Sequence, residues 1–294
     1  VFLQLLVNGL VTGSVYAIAA VGVSLVYGIL RLVNFAYGDM MAFGAFAGFF
    51  ANATLGLPMV ASAVFAMAAV AVLSIALDLV LWRPLRHRRA GFMSLFLASI
   101  GVALVLRQGM LLIWGPQPRA YDVDPFKVYV VGDVRLSLAQ LATIVTAAVA
   151  IVAIGVFLAR TSTGRVMRAM SDDRVLAQLS GIDVNRVILT TWIISGLTAG
   201  LAGVLAALVQ STFEPNFGFQ LLLPVFAAVV LGGIGSAYGA LAGGIVLGVA
   251  TELSTWEGFG GGVDPVYKPV VAFVVLIVAL LLRPQGLFGR VRAV

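Results

Sequence analysis

Nine apolar runs, at about 3–30, 38–53, 58–82, 92–114, 137–159, 188–210, 219–232, 237–256 and 269–282, occupy most of this chain. A helical membrane span needs roughly 20 mostly apolar residues. Of the 294 residues, 62% are apolar and only 10% charged, whereas a soluble domain has roughly 45–50% and 25%. No globule can hide that much apolar surface from water, so the chain is read as an integral membrane protein. Stretches such as "VVAFVVLIVALLL" have none of the alternation of a barrel strand. The fold class is therefore all-α: a polytopic helical bundle of about eight to ten spans, broken or re-entrant helices included. Residues 1–294 read as one transmembrane domain with no room for a sizeable aqueous one. The first run follows no basic stretch and precedes no small-residue cleavage site, so it reads as a retained span rather than a signal peptide.

The net charge of +6 does not point to nucleic acid, because the basic residues sit in the gaps between apolar runs and only Lys127 and Lys268 are lysines. The distribution fits the excess of cations in cytoplasmic loops. Arg83, Arg86, Arg88 and Arg89 crowd one gap, Arg160, Arg165, Arg168, Arg174 and Arg186 a second, and Arg283, Arg290 and Arg292 follow the last run. These three places are predicted to be cytoplasmic, the C-terminus among them. The gap at 115–136 balances Arg119, Lys127 and Arg135 against Asp122, Asp124 and Asp133, and the gap at 257–268 carries Glu257, Asp264 and Lys268. Both read as external. Counting spans between the gaps agrees at each step, and carried backwards it puts Arg31 inside and the first residue outside.

The chain has no cysteine and one histidine, His87. No thiolate metal site and no Ser-His-Asp set can be assembled from that inventory. A phosphate loop needs a lysine after glycine, but Lys127 follows Phe126 and Lys268 follows Tyr267. The reading is a non-catalytic membrane subunit without a cofactor; if transport is driven by ATP, another polypeptide binds it.

Two places interrupt the apolar pattern. In "LRLVNFAYGDMMAFGAF", Asn34, Tyr37, Gly38 and Asp39 break an otherwise apolar stretch. Irregular polar backbone at membrane depth is tolerated only against protein or a water-filled cavity, and broken helices mark substrate sites in transporters. With Ser14 and Tyr16 of the preceding run, these residues form the candidate substrate path. The alternative places Asp39 at the cytoplasmic interface near Arg31, at the start of the next helix, where the helix dipole favours an acid. The second break, "LGGIGSAYGALAGGIVLG", repeats the triplet Ala-Tyr-Gly of 36–38 at 237–239, a pairing expected of a site at a repeat interface. Asp78, Arg107 and Glu252 also lie inside apolar runs, where charges are costly unless paired or wetted; interfacial ion pairs or snorkelling are the expected outcome. The 33 glycines fall largely within the runs and let helix backbones approach closely.

Residues 161–187 form the longest polar stretch. Thr163 is the expected cap of a helix whose Val166, Met167, Met170, Leu176 and Leu179 fall on one side. "SGID" at 180–183 then ends it and starts the next. Its apolar face is covered either by the protein's own underside and lipid, or by the groove of a cytoplasmic partner.

Together, "VNGLVTGSVYAIAAVGVSLVYGILRLVNFAYGDMMAFGAF", "GRVMRAMSDDRVLAQLSGID", "LGGIGSAYGALAGGIVLG" and "LLLRPQGLFGR" resemble, in order and over nearly the whole chain, the LivH-type permeases of branched-chain amino acid ABC importers. The resemblance implies a subunit of the bacterial inner membrane, with a LivM-type permease, LivG-type and LivF-type ATPases, an external solute-binding protein and membrane lipid as partners. It implies that Ala169, Asp172, Asp173, Ala177, Gly181 and Ile182 belong to a coupling loop docking on the ATPases. "NFAYGD" stands where relatives carry "NFAHGE" or similar, which bears on the solute: a branched-chain amino acid, or urea, a short amide or an aromatic acid. The competing classes are a proton-coupled secondary carrier using Asp39, Asp78 or Glu252, and a structural subunit of a respiratory or channel complex.

Overall fold

In the computed structural model the described residues are 2–123, 128–131, 134–256, 262–283 and 286–288. Each apolar run becomes helix. In chain order these are α1 (Phe2–Leu30), α2 (Tyr37–Phe49), α3 (Met59–Leu77), α4 (Arg83–His87), α5 (Phe92–Trp114), α6 (Leu138–Arg160), α7 (Ser162–Asp172), α8 (Arg174–Leu179), α9 (Val184–Gln210), α10 (Phe217–Gly232), α11 (Ala237–Leu253) and α12 (Lys268–Leu282). Single π-turns at Phe50–Thr54 and Asp78–Trp82 extend α2 and join α3 to α4. Among the described residues six helical stretches are long and apolar enough to cross a membrane, the α3–α4 stretch Met59–His87 being one of them, while α10 and α11 are shorter. A small antiparallel hairpin, β1 (Val128–Val131) with β2 (Val134–Ser137), was not foreseen; Val131 stands opposite Val134. At four residues a strand, it carries too little alternation to stand out in a charged loop.

The helices sort into an inner and an outer set. About 83% of the apolar window of α1 and 72% of that of α9 is buried, against 17% for α5 and α6 and 6% for α12. With no hydrophobic effect to bring helices together in lipid, small residues must supply the contact. The antiparallel seam of α1 and α11 does so with Gly9 and Gly13 set against Gly244 and Gly248, close enough that an added Cβ would meet backbone atoms. The outer helices leave their apolar side chains, such as Leu112 and Val149, on the surface, the side that suits a bilayer.

Among the described residues the arginine-rich gaps after α3 and α6 lie at one end, where Trp82 and Leu85 pack with Leu30, Met167 and Met170, and the segment after Arg283 returns there. The Arg31 guanidinium donates to the carbonyl of Ser171 in α7, Gly28 lies beside both Ser171 and Gly235, and Gly286 beside Gly233. The tail amides of Leu287 and Phe288 cap α10 by donating to the carbonyls of Leu231 and Gly232. The hairpin and the 262–268 loop lie at the other end, where Gln4 bonds Arg135. There Tyr121 donates to the Ala45 carbonyl at 3.0 Å, and burial pushes its phenol above the usual range. Asp124, Lys127, Asp133, Glu257, Arg290 and Arg292 lie outside the described residues.

Candidate functional site

The interruption after α1 is a re-entrant turn. Arg31 takes a left-handed φ of 53°, the chain turns back, and Asn34 Oδ1 accepts from the Ala36 amide at 3.1 Å while the Asn34 carbonyl accepts from Tyr37 N–H at 3.2 Å. α2 then starts beside the middle of its neighbours: the Tyr37 phenol reaches Thr198 Oγ1 at 3.1 Å and lies against Gly22 of α1. Since the Thr198 hydroxyl donates to the Ser195 carbonyl at 2.9 Å, the phenol is the donor to Thr198.

A second re-entrant turn follows α9. Ser211 has a φ of 64°, Phe213 pairs through its backbone with Arg119 in both directions, and Phe217 N–H donates to the Glu214 carbonyl at 3.1 Å, as Tyr37 does to Asn34. α10 then begins with an aromatic residue and a glycine, as α2 does. The two glycines meet: a Cβ on Gly38 would lie against the Gly218 carbonyl, and a Cβ on Gly218 against that of Gly38. The first turns of two half-helices therefore touch inside the bundle. From there α2 leads to Asn52, which accepts from Asp122 N–H at 2.8 Å at the hairpin end, and α10 leads to Gly233 at the opposite end. They run in opposite directions from one depth, as expected of inverted repeats around a central site.

This corrects the repeat expected from the sequence. The geometric partner of 31–38 is 211–218, not the Ala-Tyr-Gly at 237–239, which starts α11 under a Ser236 cap, with Gly239 against Gly232. Of the two turns only the aromatic-glycine pair is alike, and the counterpart of Asp39 is Phe219. The signal available in the sequence was "NFGF", a polar residue, an aromatic and a glycine between two apolar runs.

Asp39, fully buried, does not pair with Arg31. Its carboxylate is held in a fork by Arg107 of α5, Nε to Oδ1 at 2.9 Å and Nη2 to Oδ2 at 3.0 Å. The guanidinium also lies 4.7 Å from the centre of the Phe219 ring. Arg107 thus sits between equivalent residues of the two half-helices, bound to one by charge and to the other by its ring face. The other intramembrane carboxylates are paired as expected, Asp78 with Arg86 at 2.7 Å and Glu252 with Lys268 at 2.8 Å, with Thr12 also donating to Glu252. Ser14 is buried and Tyr16 half-buried on α1, about 9–12 Å along the helix from Gly22, so the structure does not join them to the break.

The 161–187 segment is two helices rather than one. Thr161, not Thr163, caps α7, accepting from Gly164 N–H at 2.9 Å. Asp173 caps α8 by accepting from Val175 and Leu176, and Asp183 caps α9 by accepting from Asn185 and Arg186. The kink splits the expected apolar face. Met167 and Met170 of α7 are buried under the bundle, whereas Val175, Leu176 and Leu179 of α8 are 67%, 63% and 81% exposed. Ala169, Asp172, Asp173 and Gly181 are exposed, Gly181 with a φ of 81°, while Ala177 is buried and Ile182 half-buried.

Comparison with known proteins bears on the whole of this arrangement. The chain is 34% identical over 303 residues, 98% of its own length and 96% of the relative's, to the high-affinity branched-chain amino acid transport system permease protein BraD of Pseudomonas aeruginosa. It is 32% identical, at the same coverage, to LivH of the corresponding system in Escherichia coli K12. Among solved structures, PsaBC from Streptococcus pneumoniae in complex with Fab is similar in fold, with a TM-score of 0.50 at 16% identity over 98% of this chain and 94% of that one. Residues 5–280 match the family model described as branched-chain amino acid transport system / permease component, and the chain belongs to that family.

Proposed function

We propose that this permease subunit of an ABC importer carries branched-chain amino acids, and that its whole length acts as one membrane domain of the inner membrane with its C-terminus on the cytoplasmic side. In this reading a LivM-type permease completes the path, LivG-type and LivF-type ATPases supply ATP hydrolysis, and an external binding protein delivers the solute. The substrate specificity is supported by the relatives' names and by coverage of nearly their full length. The break at Asn34, Tyr37, Gly38 and Asp39 supports the path as a positioning element, since its polar groups face protein partners.

The observation that carries the coupling role is α8. Three large apolar side chains are exposed on a six-residue helix, beside the exposed Ala169, Asp172, Asp173 and Gly181, the buried Ala177 and the half-buried Ile182. An amphipathic helix of that kind fits a groove in a partner. α7, packed on the end of α1 through Ser171 and Arg31, would carry its displacement to the re-entrant turn. ATPase closure then rocks the paired permeases open to the binding protein, and hydrolysis resets them. A secondary carrier gains no support, since Asp39, Asp78 and Glu252 are each ion-paired.

Leu176→Ser with Leu179→Ser in the full transporter tests this. Leucine uptake driven by ATP should fall at least about tenfold, the effect of losing two apolar anchors, while the amount of folded permease is unchanged. Unaltered uptake refutes the docking role. Uptake abolished by collapsing the proton gradient at constant ATP refutes the ABC importer reading.

A further inference from the structure

We infer that Arg107, with the ring of Phe219, forms a binding site for the α-carboxylate and aliphatic side chain of the transported amino acid, in a groove between α5 and α10 that faces the translocation path. This deepens the function proposed above and rests on it.

The groove follows from the packing. α5 and α10 both pack on α2 while their backbones stay apart, Arg107 of α5 reaching across to the Phe219 ring of α10, so α2 forms a floor with Asp39 at its base. Arg107 lies seven residues before the end of α5, about 10 Å inside that end, and its side chain is 18% exposed while Asp39 is at 0%. Phe219 is 46% exposed and Leu223, one turn on, 38%. A guanidinium has five N–H donors. Asp39 takes Nε–H and one on Nη2, and no hydrogen bond is made by the others among the described residues. These donors therefore open onto a surface at bilayer depth.

Three surroundings are available there: lipid, the paired permease of the function proposed above, and a wetted path. In hydrocarbon, unsatisfied donors on a cation are costly and rarely face lipid, and the exposed apolar Val105 and Leu112 lie around α5 on the side away from Arg107. A wetted path satisfies them. The pair also has the right chemistry for the solute. The planar fork of arginine matches a carboxylate, with Asp39 fixing its orientation and reducing its net charge, so that binding stays weak enough for release. Beside it, Phe219 and Leu223, followed by Phe226 packed against Phe35 at 5.2 Å and Phe35 edge-on to Phe96 at 5.0 Å, give an apolar wall for a branched side chain. An aromatic-rich groove with one convergent polar group is the usual form of a small-ligand site.

Two measurements on the full transporter decide it. The chain has no cysteine of its own, so Phe219→Cys and Leu223→Cys introduce its sole thiol. A membrane-impermeant thiol reagent should modify both, and leucine presented by the binding protein should slow the reaction severalfold, whereas Val149→Cys, on the exposed face of α6, stays unmodified. If Phe219→Cys reacts no faster than Val149→Cys, the groove does not face water and the inference fails. This arm needs no transport, so a wild-type complex unable to carry leucine would refute the function above without deciding the groove. In the second arm, Asp39→Asn with Arg107→Gln removes both charges and leaves neither orphaned. The complex should assemble and hydrolyse ATP, but leucine uptake should fall about 10- to 100-fold, the value of charge-assisted hydrogen bonds. Uptake at the wild-type rate would show the pair to be a structural ion pair alone and overturn the assignment.

Discussion

The two re-entrant turns differ in what holds them. The turn at 31–36 is tied by polar contacts: Asn34 to its own backbone, Tyr37 to Thr198, Asp39 to Arg107, and Arg31 to Ser171 of α7. The turn at 211–216 is tied by backbone pairing with Arg119 and by apolar rings, Phe213 packing against Phe46, Tyr121 and Phe217. The same backbone path is thus fixed once by side-chain hydrogen bonds and once by backbone pairing and ring packing. Two half-helices of one geometry need not share a sequence, because the shared requirement is the close approach at Gly38 and Gly218. At the equivalent position the first half-helix holds Asp39, and the second presents the Phe219 ring to the same arginine.

The largest effect expected from breaking this comparison is that of Arg107→Gln alone. It leaves the fully buried Asp39 carboxylate without its partner, which costs about 3–5 kcal/mol, read as a lowered unfolding temperature in detergent; adding Asp39→Asn should restore most of it. Next come Gly38→Ala and Gly218→Ala. Each places a Cβ against the facing carbonyl and should cost about 1–3 kcal/mol. Since one separation of the half-helices relieves both, the double variant should cost clearly less than the two single losses together; full additivity would deny the shared contact. Tyr37→Phe removes one buried hydrogen bond on the polar turn and should cost about 1 kcal/mol.

The smallest effects separate the two linkers. Ser211 and Arg31 both hold positive φ, strain that glycine relieves. Ser211→Gly should stabilise by about 0.5 kcal/mol, the relief net of glycine's larger entropy loss. Arg31→Gly should gain less, because it also gives up the bond to Ser171. Equal gains would mean that the link from Arg31 to α7 contributes nothing.

Much of this was legible in the chain. The run of apolar residues fixes helices over nearly every span, because in lipid each backbone amide must be bonded within its own segment. Helix ends followed local chemistry too, although Thr161 rather than Thr163 caps α7 and the kink at Asp173 was hidden by a continuous apolar spacing. The polar break at 34–39 was found because its polar residues stand out against apolar neighbours. Its partner at 211–218 was missed because it fell in the gap between the runs at 188–210 and 219–232 and carries no charge or polar group inside an apolar run to mark it. Arg107 was visible as an intramembrane charge, yet its association with Asp39 across many intervening residues was not.

The sequence by itself determined the medium, the helices, the end at which the cationic gaps gather and the family. These follow from local composition and from the cost of exposing apolar side chains to water or bare amides to lipid. Only the tertiary structure decided which break faces which, that α8 rather than α7 leaves its apolar side chains exposed, and that Asp39 meets Arg107 beside Phe219. Those are contacts between segments distant in the chain, set by how closely glycine-lined backbones approach, and no local pattern encodes the distance between two helices.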